Sequence, residues 1–551
     1  MNSYLFTLWR SVQSGPIRVQ EIAEILNLST KQTARYIKSW ENEGWFTFTP
    51  GRGRGNVSQL KWLMNVEEVY EETLIKMIET EPIEESSKYL LMDWSPERKL
   101  RLMNRFQSKF GFQQNVQEKD RLIIPRKYPF TSFHPLDAVH VLIANLVATI
   151  YNRLVSIDEK GNVKSELAHS WDVSETNVRL YLKKDIKFHD GSLLTANDVV
   201  KCLEKMRQHP EYANLWEPVD KIVAVTSLIV DIDTPTGCSY ILQLLGTMVA
   251  SIYKETENGL VGTGPFYLAK NTEVKTKLLA FREHFQERPL LDEIEFIQVP
   301  KDYDTVYTTH ATKEPESTVI VESNSGFGVV IMNACRDSDI RRQEVRDYIH
   351  WLIAKHRYQV AQISHKLEPN DASCLSLHKE VYPVPEALRP TFTGPIILMQ
   401  RNWNEPLTNW LRELLIASDV PVKVKRLSFS ESIYENTKHE EIDLYIHGEV
   451  FEMNESFSFY YFLKNGYSPL ARILDADTEL NEKLQEYTKT PFPHWEQLHR
   501  EMEQKLIEKS LMIPLYHEKR EIPFSKDIMN IQLKYFGYVD FSKLWVRPKI
   551  E

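Results

Sequence analysis

Lys31, Gln32, Arg35 and Lys38 are spaced so that a helix would carry them on one face. Ammonium, amide and guanidinium groups so arrayed can hydrogen-bond to base edges in a major groove and to phosphates. Thr33, Tyr36, Ile37 and Trp40 fall at i, i+3, i+4 and i+7 and would line the opposite, inward face. Ser29 and Thr30 come just before, and either hydroxyl can cap the first N–H groups of the helix. Further on, Gly51-Arg52-Gly53-Arg54-Gly55 sets two guanidiniums in a Gly-rich loop, suited to a phosphate backbone or a minor groove. A second group of candidates lies far away in the chain. Glu449 and Glu452 stand in Gly448-Glu-Val-Phe-Glu-Met-Asn-Glu, and such carboxylates could clasp a cationic group inside a closed cleft. A solvated acidic loop is an equal alternative. Phe133, His134 and Asp137 are further candidate contacts, although His134 reads more simply as a capped loop histidine. Trp403 could stack on a ligand, and a core tryptophan is the plainer reading.

These residues need elements to hold them. Ile22, Ile25, Leu26 and Leu28 mark the apolar face of a helix ahead of the Ser29–Thr30 joint. Gly44 ends the next helix, in a left-handed conformation. Trp45-Phe-Thr-Phe and Gln59-Leu-Lys-Trp-Leu then read as a strand pair around the Arg-bearing loop. Leu5, Leu8, Trp9 and Val12 form a leading helix that Ser14-Gly-Pro16 ends. The sum is a winged helix-turn-helix over residues 1–65. It implies double-stranded DNA, a promoter or operator, as partner, with Ser29, Thr30, Lys31, Gln32, Arg35, Lys38, Arg52 and Arg54 at the interface. A helical domain with a solvated basic face is the bland alternative. It explains the outward Lys and Arg, but not their coincidence with the joint, the cap, the glycine stop and the wing. The segment resembles the winged-helix domain of bacterial regulators.

The whole chain bounds the answer. Its 551 residues imply several domains. Net charge is −10, yet residues 1–65 hold eight Lys and Arg against four Glu, so the rest is a larger acidic body not itself drawn to DNA. Cys202, Cys238, Cys335 and Cys374 are scattered, with no CxxC, which suggests thiols in a reducing cytoplasm. There is no secretion signal pattern and no run of about 20 apolar residues, so the expected location is cytoplasmic, with no membrane contact. No phosphate loop, His-Glu-x-x-His or Gly-x-Ser-x-Gly occurs, and His499-Arg-Glu-Met-Glu503 lacks a second histidine. An enzyme, a cofactor and a metal are therefore not expected.

Residues 66–118 read as helices, broken at Glu81-Pro82 and reopened at Ser95-Pro96. This connector is either a spacer or a rigid transmitter or dimer contact. From Arg121 the texture becomes α/β. Leu136 to Leu154 is a helix candidate, and Ile222–Val225 and Ser227–Ile232 look like adjacent strands.

Several motifs here resemble family 5 extracellular solute-binding proteins: Ile150-Tyr-Asn-Arg-Leu-Val155, Glu166-Leu-Ala-His-Ser-Trp171, Phe188-His-Asp-Gly191, Val261-Gly-Thr-Gly-Pro-Phe-Tyr267 and Ile513-Pro-Leu-Tyr516. The likeness implies a periplasmic-binding-protein-like (class II) domain over 119–551. Its lobe I would run from about 119 to 299 and again over 512–551, with lobe II at about 300–511, closing on a ligand by a hinge. By the same likeness Glu452 stands where peptide-binding members carry an Asp for a peptide's α-amino group, and Glu449 where they carry a tryptophan. The Phe133–Asp137 stretch resembles an entry loop that faces the cleft.

Together the two halves resemble the SgrR-type transcriptional regulators. The implied architecture is multidomain: an α+β winged helix-turn-helix, a helical connector and a two-lobe α/β sensor. The implied function is regulation of DNA binding by a small solute, a sugar, sugar phosphate or peptide, with paired half-sites making a homodimer natural. Closure would act on the DNA-binding domains through residues 66–118. The rival is a non-secreted solute-binding accessory protein of a peptide or sugar transporter.

Overall fold

The computed structural model describes residues 1–51, 57–114, 119–138, 141–158, 160–300, 318–375, 381–401, 404–428, 431, 440–452, 454–465, 469–534 and 538–547. The amino-terminal module runs α1 (Ser3–Ser11), β1 (Gly15–Ile17), α2 (Val19–Leu26), α3 (Thr30–Asn42), β2 (Phe46–Thr49) and β3 (Ser58–Trp62). Its antiparallel sheet has the order β1-β3-β2. Gly15-Pro16-Ile17 therefore does more than end a helix: it adds a third, edge strand, where a proline costs no central ladder bond. Ser29 opens α3 with a capping box. Its hydroxyl accepts from Gln32 N–H at 3.3 Å, and the Gln32 amide oxygen accepts from Ser29 N–H at 3.3 Å. Thr33, Ile37 and Trp40 are buried, and Tyr36 stacks half-buried on Trp40 at 5.1 Å. Gly44 has φ of 82°, the left-handed stop expected of it. Ile25 corrects the expected inward face of α2. It is 37% exposed, and Ala23 takes the buried position, because the helix turns its 22/23/26 face to the core.

The connector is α4 (Val66–Thr80), α5 (Ile83–Leu90) and α6 (Pro96–Phe106). It shares one core with the module before it. Phe6 packs on Tyr70 at 5.9 Å and on Trp94 at 4.7 Å, Trp45 meets Tyr70 at 5.6 Å, and the Tyr70 hydroxyl accepts from Asn2 N–H at 2.8 Å. Glu71 holds α4 to α6 by accepting from Arg101 at 2.7 Å and from Arg98.

The chain then enters a five-stranded sheet through β4 (Gly111–Gln114), which pairs antiparallel with β5 (Asp120–Arg126). The connector assigned to residues 66–118 thus includes an edge strand of the next domain's sheet. Strand Glu293–Gln298 runs parallel to β5, and strands Lys275–Ala280 and Phe266–Asn271 complete the sheet. Its two faces belong to different cores. Leu122, Ile124, Ile294 and Phe296 face the body, where helix Val141–Ile150 lies, shorter than the apolar run from Leu136 to Leu154 implied. Ile123, Ile297 and Val299 belong to the core of the amino-terminal module and connector. Residues 168–233 add a four-stranded antiparallel sheet in which the expected neighbours Lys221–Thr226 and Ile229–Asp233 do pair.

The second lobe is built on a six-stranded sheet in the order Leu367–Pro369, Met512–Ser525, Thr318–Met332, Leu444–Val450, Ile396–Gln400 and Val422–Arg426. Helices Gln343–His356 and Glu405–Ala417 cover one face, and helices from Glu455 to Glu508 cover the other. Residues 512–525 correct the expected lobe boundary. Met512, Ile513 and Pro514 pair with Ile331, Val330 and Val329 inside this sheet. The return to the first lobe starts only after that strand.

Candidate nucleic-acid face and solute cleft

On α3, Lys31, Gln32, Arg35 and Lys38 are all exposed, as are Ser29 and Thr30. The cap commits the Gln32 amide oxygen to Ser29. The helix is rigidly seated, since its inner face is closed by Trp40 against Phe46 at 6.3 Å and by Tyr36 against Tyr4 at 5.4 Å. Arg52 and Arg54 lie outside the described residues, as does Trp403.

The acidic pair is positioned by the six-stranded sheet. Glu449 stands opposite Phe327, and His447, two residues earlier on the same face, stands opposite Val329. The strands meet there only because glycine permits it. A Cβ on Gly326 would lie 1.9 Å from the Glu449 carbonyl oxygen, and one on Gly328 would lie 2.2 Å from the Tyr516 ring. His447 Nε2 and the Glu449 carboxyl are 3.9 Å apart. Burial pushes the Glu449 carboxyl up to about 8 and the His447 imidazole, whose ring meets Phe462 at 5.6 Å, down to about 3, so both are neutral near pH 7. Arg401 nearby further disfavours the imidazolium.

Glu452 reaches across to the first lobe. Its carboxyl accepts from Met248 N–H at 2.6 Å, and its own N–H donates to Ser458 Oγ at 3.1 Å. Burial raises it to about 8, opposed by Arg153 and the Met248 N–H, while Glu449 raises it further. Between the lobes is a pocket of about 20 Å³. Ile157, Gln243, Gly246 and Thr247 line one side, and Glu452, Asn454, Phe457 and Ser458 line the other. That is space for one water. Gln243, 6% exposed, brings an amide oxygen with no protein partner. Behind Met248, Arg153 and Glu166 form a buried pair at 3.2 Å, and Asn152 also donates to Glu166 at 2.7 Å.

Phe133, His134 and Asp137 sit around one turn, Pro135–Asp137, which packs beside Met248–Ala250. His134 is the loop cap that the plainer reading favoured. Its Nδ1 accepts from Leu136 N–H at 3.1 Å, and its ring meets Tyr253 at 4.7 Å. Asp137 accepts from Ser132 Oγ at 2.6 Å, and Phe133 packs on Phe130. Glu452 and this turn therefore meet the same short segment. Sequence reasoning missed Gln243, the Met248 N–H and the Arg153–Glu166 pair. A backbone donor leaves no trace in a sequence. A charge at each end of apolar runs, Arg153 after Ile150-Tyr151 and Glu166 before Leu167-Ala168, was the available signal for the pair.

Residues 2–115 match the family described as "Sugar transport-related sRNA regulator N-term". Residues 162–314 match "Bacterial extracellular solute-binding proteins, family 5 Middle". Relatives named HTH-type transcriptional regulator SgrR, from Photorhabdus laumondii and Escherichia coli (strain K12), are 23% and 22% identical. Each alignment covers 98% of this chain and 97% of the relative. Over 98% of its length the chain is similar to the SgrR-type transcriptional regulators. The larger part of the chain shares its fold with peptide-binding proteins of known structure. A dipeptide binding protein from Pseudoalteromonas sp. SM9913 in complex with Met-Leu matches with TM-score 0.63 at 16% identity, over 78% of this chain and 100% of that one. The oligopeptide-binding protein AppA from Bacillus subtilis in complex with a nonapeptide gives TM-score 0.62 at 18% identity, over 78% and 99%. Among the described residues, no helix is long and apolar enough to cross a membrane.

Proposed function

We propose that α3 reads an operator in duplex DNA and that a small solute held between the lobes sets how well it does so. The single observation behind this is the exposed set Lys31, Gln32, Arg35 and Lys38 on a helix capped at Ser29 and locked by Trp40. Arg35 and Lys31 would donate to base edges. Gln32 would read with its amide nitrogen, its oxygen being held by the cap. Lys38, Ser29 and Thr30 would meet phosphates, and Arg52 and Arg54 would extend the contact from the wing. The reading takes residues 1–65 as the DNA-binding domain, the helices after it as connector and the remainder as sensor, working in the cytoplasm as a homodimer.

The ligand would contact Glu449 and Glu452 from one side and the Phe133–Asp137 turn from the other. Both acids are neutral at pH 7 and can donate as well as accept. That suits a polyhydroxylated or amide-bearing solute, a sugar, sugar phosphate or peptide, and the description of the family that residues 2–115 match as sugar transport-related favours the first two. Mass spectrometry of solute retained by the purified chain would identify it.

Changing Arg35 to Ala is expected to weaken operator binding and relax base preference by about 1–3 kcal/mol, read by titration of matched and mismatched duplexes. Replacing Arg52 and Arg54 should weaken all duplexes alike and flatten the salt dependence. Duplex binding unchanged by both substitutions would remove α3 and the wing from the interface.

A further inference from the structure

Two joints separate the DNA-binding end from the second lobe, and they are built differently. The first, between connector and first lobe, is continuous. Ile83, Leu90, Phe106 and Phe110 share one core with Ile123, Ile297 and Val299, which project from the sheet. Glu84 on α5 accepts from Lys275 at 3.2 Å, and Lys275 in turn meets Glu295, 1% exposed, at 2.8 Å. Arg121 on β5 also pairs with Glu295. The chain leaving α6 is then hydrogen-bonded into the same sheet as β4. The connector thus packs as a layer on one face of this sheet, with Glu84 paired into it.

The second joint, between the lobes, is bridged covalently near the ribbon of Thr318–Met332 and Met512–Ser525. Otherwise it is made mainly by side chains of both lobes that meet in one buried core, with one backbone bond from Ser239 N–H to the Thr488 carbonyl at 2.9 Å. Tyr240 packs on Tyr460 at 4.9 Å and on Trp495 at 5.9 Å, Ser239 donates to the Tyr487 carbonyl at 2.7 Å, and Lys464 pairs with Glu217 at 3.2 Å. The fit there is incomplete. A pocket remains, Gln243 keeps an unpartnered oxygen, and a lone carboxyl, Glu452, spans the gap to Met248 N–H. Surfaces that separate in function carry such imperfections.

We propose that the winged helix, connector and first lobe move as one rigid body, and that the second lobe is the moving part, latched to that body by Glu452 on Met248 N–H. The solute would then act by where the second lobe sits, not by swinging the DNA-binding domain on its connector. That consequence for DNA rests on the proposed function above. The mechanical claim does not, and it is testable without DNA or solute.

In the full chain, Cys335, the exposed cysteine, is changed to Ser. Spin labels are placed at exposed Gln13→Cys with Gln286→Cys, spanning the first joint, and at Gln286→Cys with Lys423→Cys, spanning the second. Distance distributions are measured by double electron–electron resonance with Glu452 intact and in Glu452→Ala. Expected is one narrow peak for the first pair, unchanged by Glu452→Ala, and a peak for the second pair that lengthens and broadens. A broad or shifting first pair overturns the rigid body, and a second pair unmoved by Glu452→Ala overturns the latch. As an independent check, Glu84→Lys should raise amide exchange in α5 and in strand Lys275–Ala280 together, and exchange confined to α5 would also overturn the proposal. If the distances behave as expected but duplex binding is absent, the fault lies in the DNA reading alone.

Discussion

Ser29, Gln32 and Glu449 show how much a single side chain can settle. Ser29 supplies the acceptor that starts α3, so Ser29→Ala is expected to cost about 1 kcal/mol, seen as an earlier urea transition of the amino-terminal tryptophans. Gln32 was legible as a surface residue, and its place in the cap is written in the Ser29-x-x-Gln32 spacing, a capping-box signature. Glu449 makes a pH prediction. Its carboxyl titrates at about 8 in the folded chain against 4.5 for the free group. The folded state therefore holds a proton that the unfolded state releases between those values. The stabilising effect of that proton is fully present below about pH 4.5 and is lost as pH rises towards 8, and Glu452 acts in the same sense. Around Glu452 the facing charges are Arg153 on the first lobe and Glu449 on the second. The denaturation midpoint should thus fall between pH 5 and 9, and Glu449→Gln should flatten that fall. An unaltered slope in Glu449→Gln would mean the carboxyl is solvated.

Among the secondary elements, Gly328 inside the six-stranded sheet and Gly394 in the bend before strand Ile396–Gln400 carry a sharp contrast. A methyl at Gly328 would run into the Tyr516 ring at 2.2–2.7 Å, whereas one at Gly394 would meet nothing within 4 Å. Gly328→Ala is expected to destabilise by about 1–3 kcal/mol, while Gly394→Ala should be close to neutral, both by urea midpoint. Equal effects would show that Tyr516 simply moves aside. The helices and strands of the first 65 residues could be read because local signals agree there: a cap, a 3.6-residue period and a glycine stop. The edge strand Gly15–Ile17 could not, because its pairing with Leu60 is made across the module and three residues carry no period. The same holds for β4, which reads as the tail of a helical segment until β5 is seen beside it.

The assembled chain is a series of cores that hand over to one another. Ile123, Ile297 and Val299 complete the core of the amino-terminal module and connector, and burying such side chains is worth about 1.5–3 kcal/mol each. Residues 1–110 made alone are therefore expected to exchange amides faster and unfold at lower urea than the same residues in the whole chain. Equal protection in the fragment would mean the sheet contributes nothing to them. The return strand Met512–Ser525 was misplaced for a related reason. Its apolar pattern suits either lobe, and only the pairing with Thr318–Met332 chooses between them.

Local chemistry along the chain was enough to foresee a capped basic helix with a wing, a helical segment, an α/β body and their order, because caps, periods and charge act between near neighbours. Folding alone determined which face of β5 the connector would cover, that Glu452 would find the Met248 N–H more than 200 residues earlier, and that burial would push the carboxyls of Glu449 and Glu452 up to about 8. Burial and long-range pairing are properties of the assembled surroundings, and no stretch of sequence contains its own surroundings.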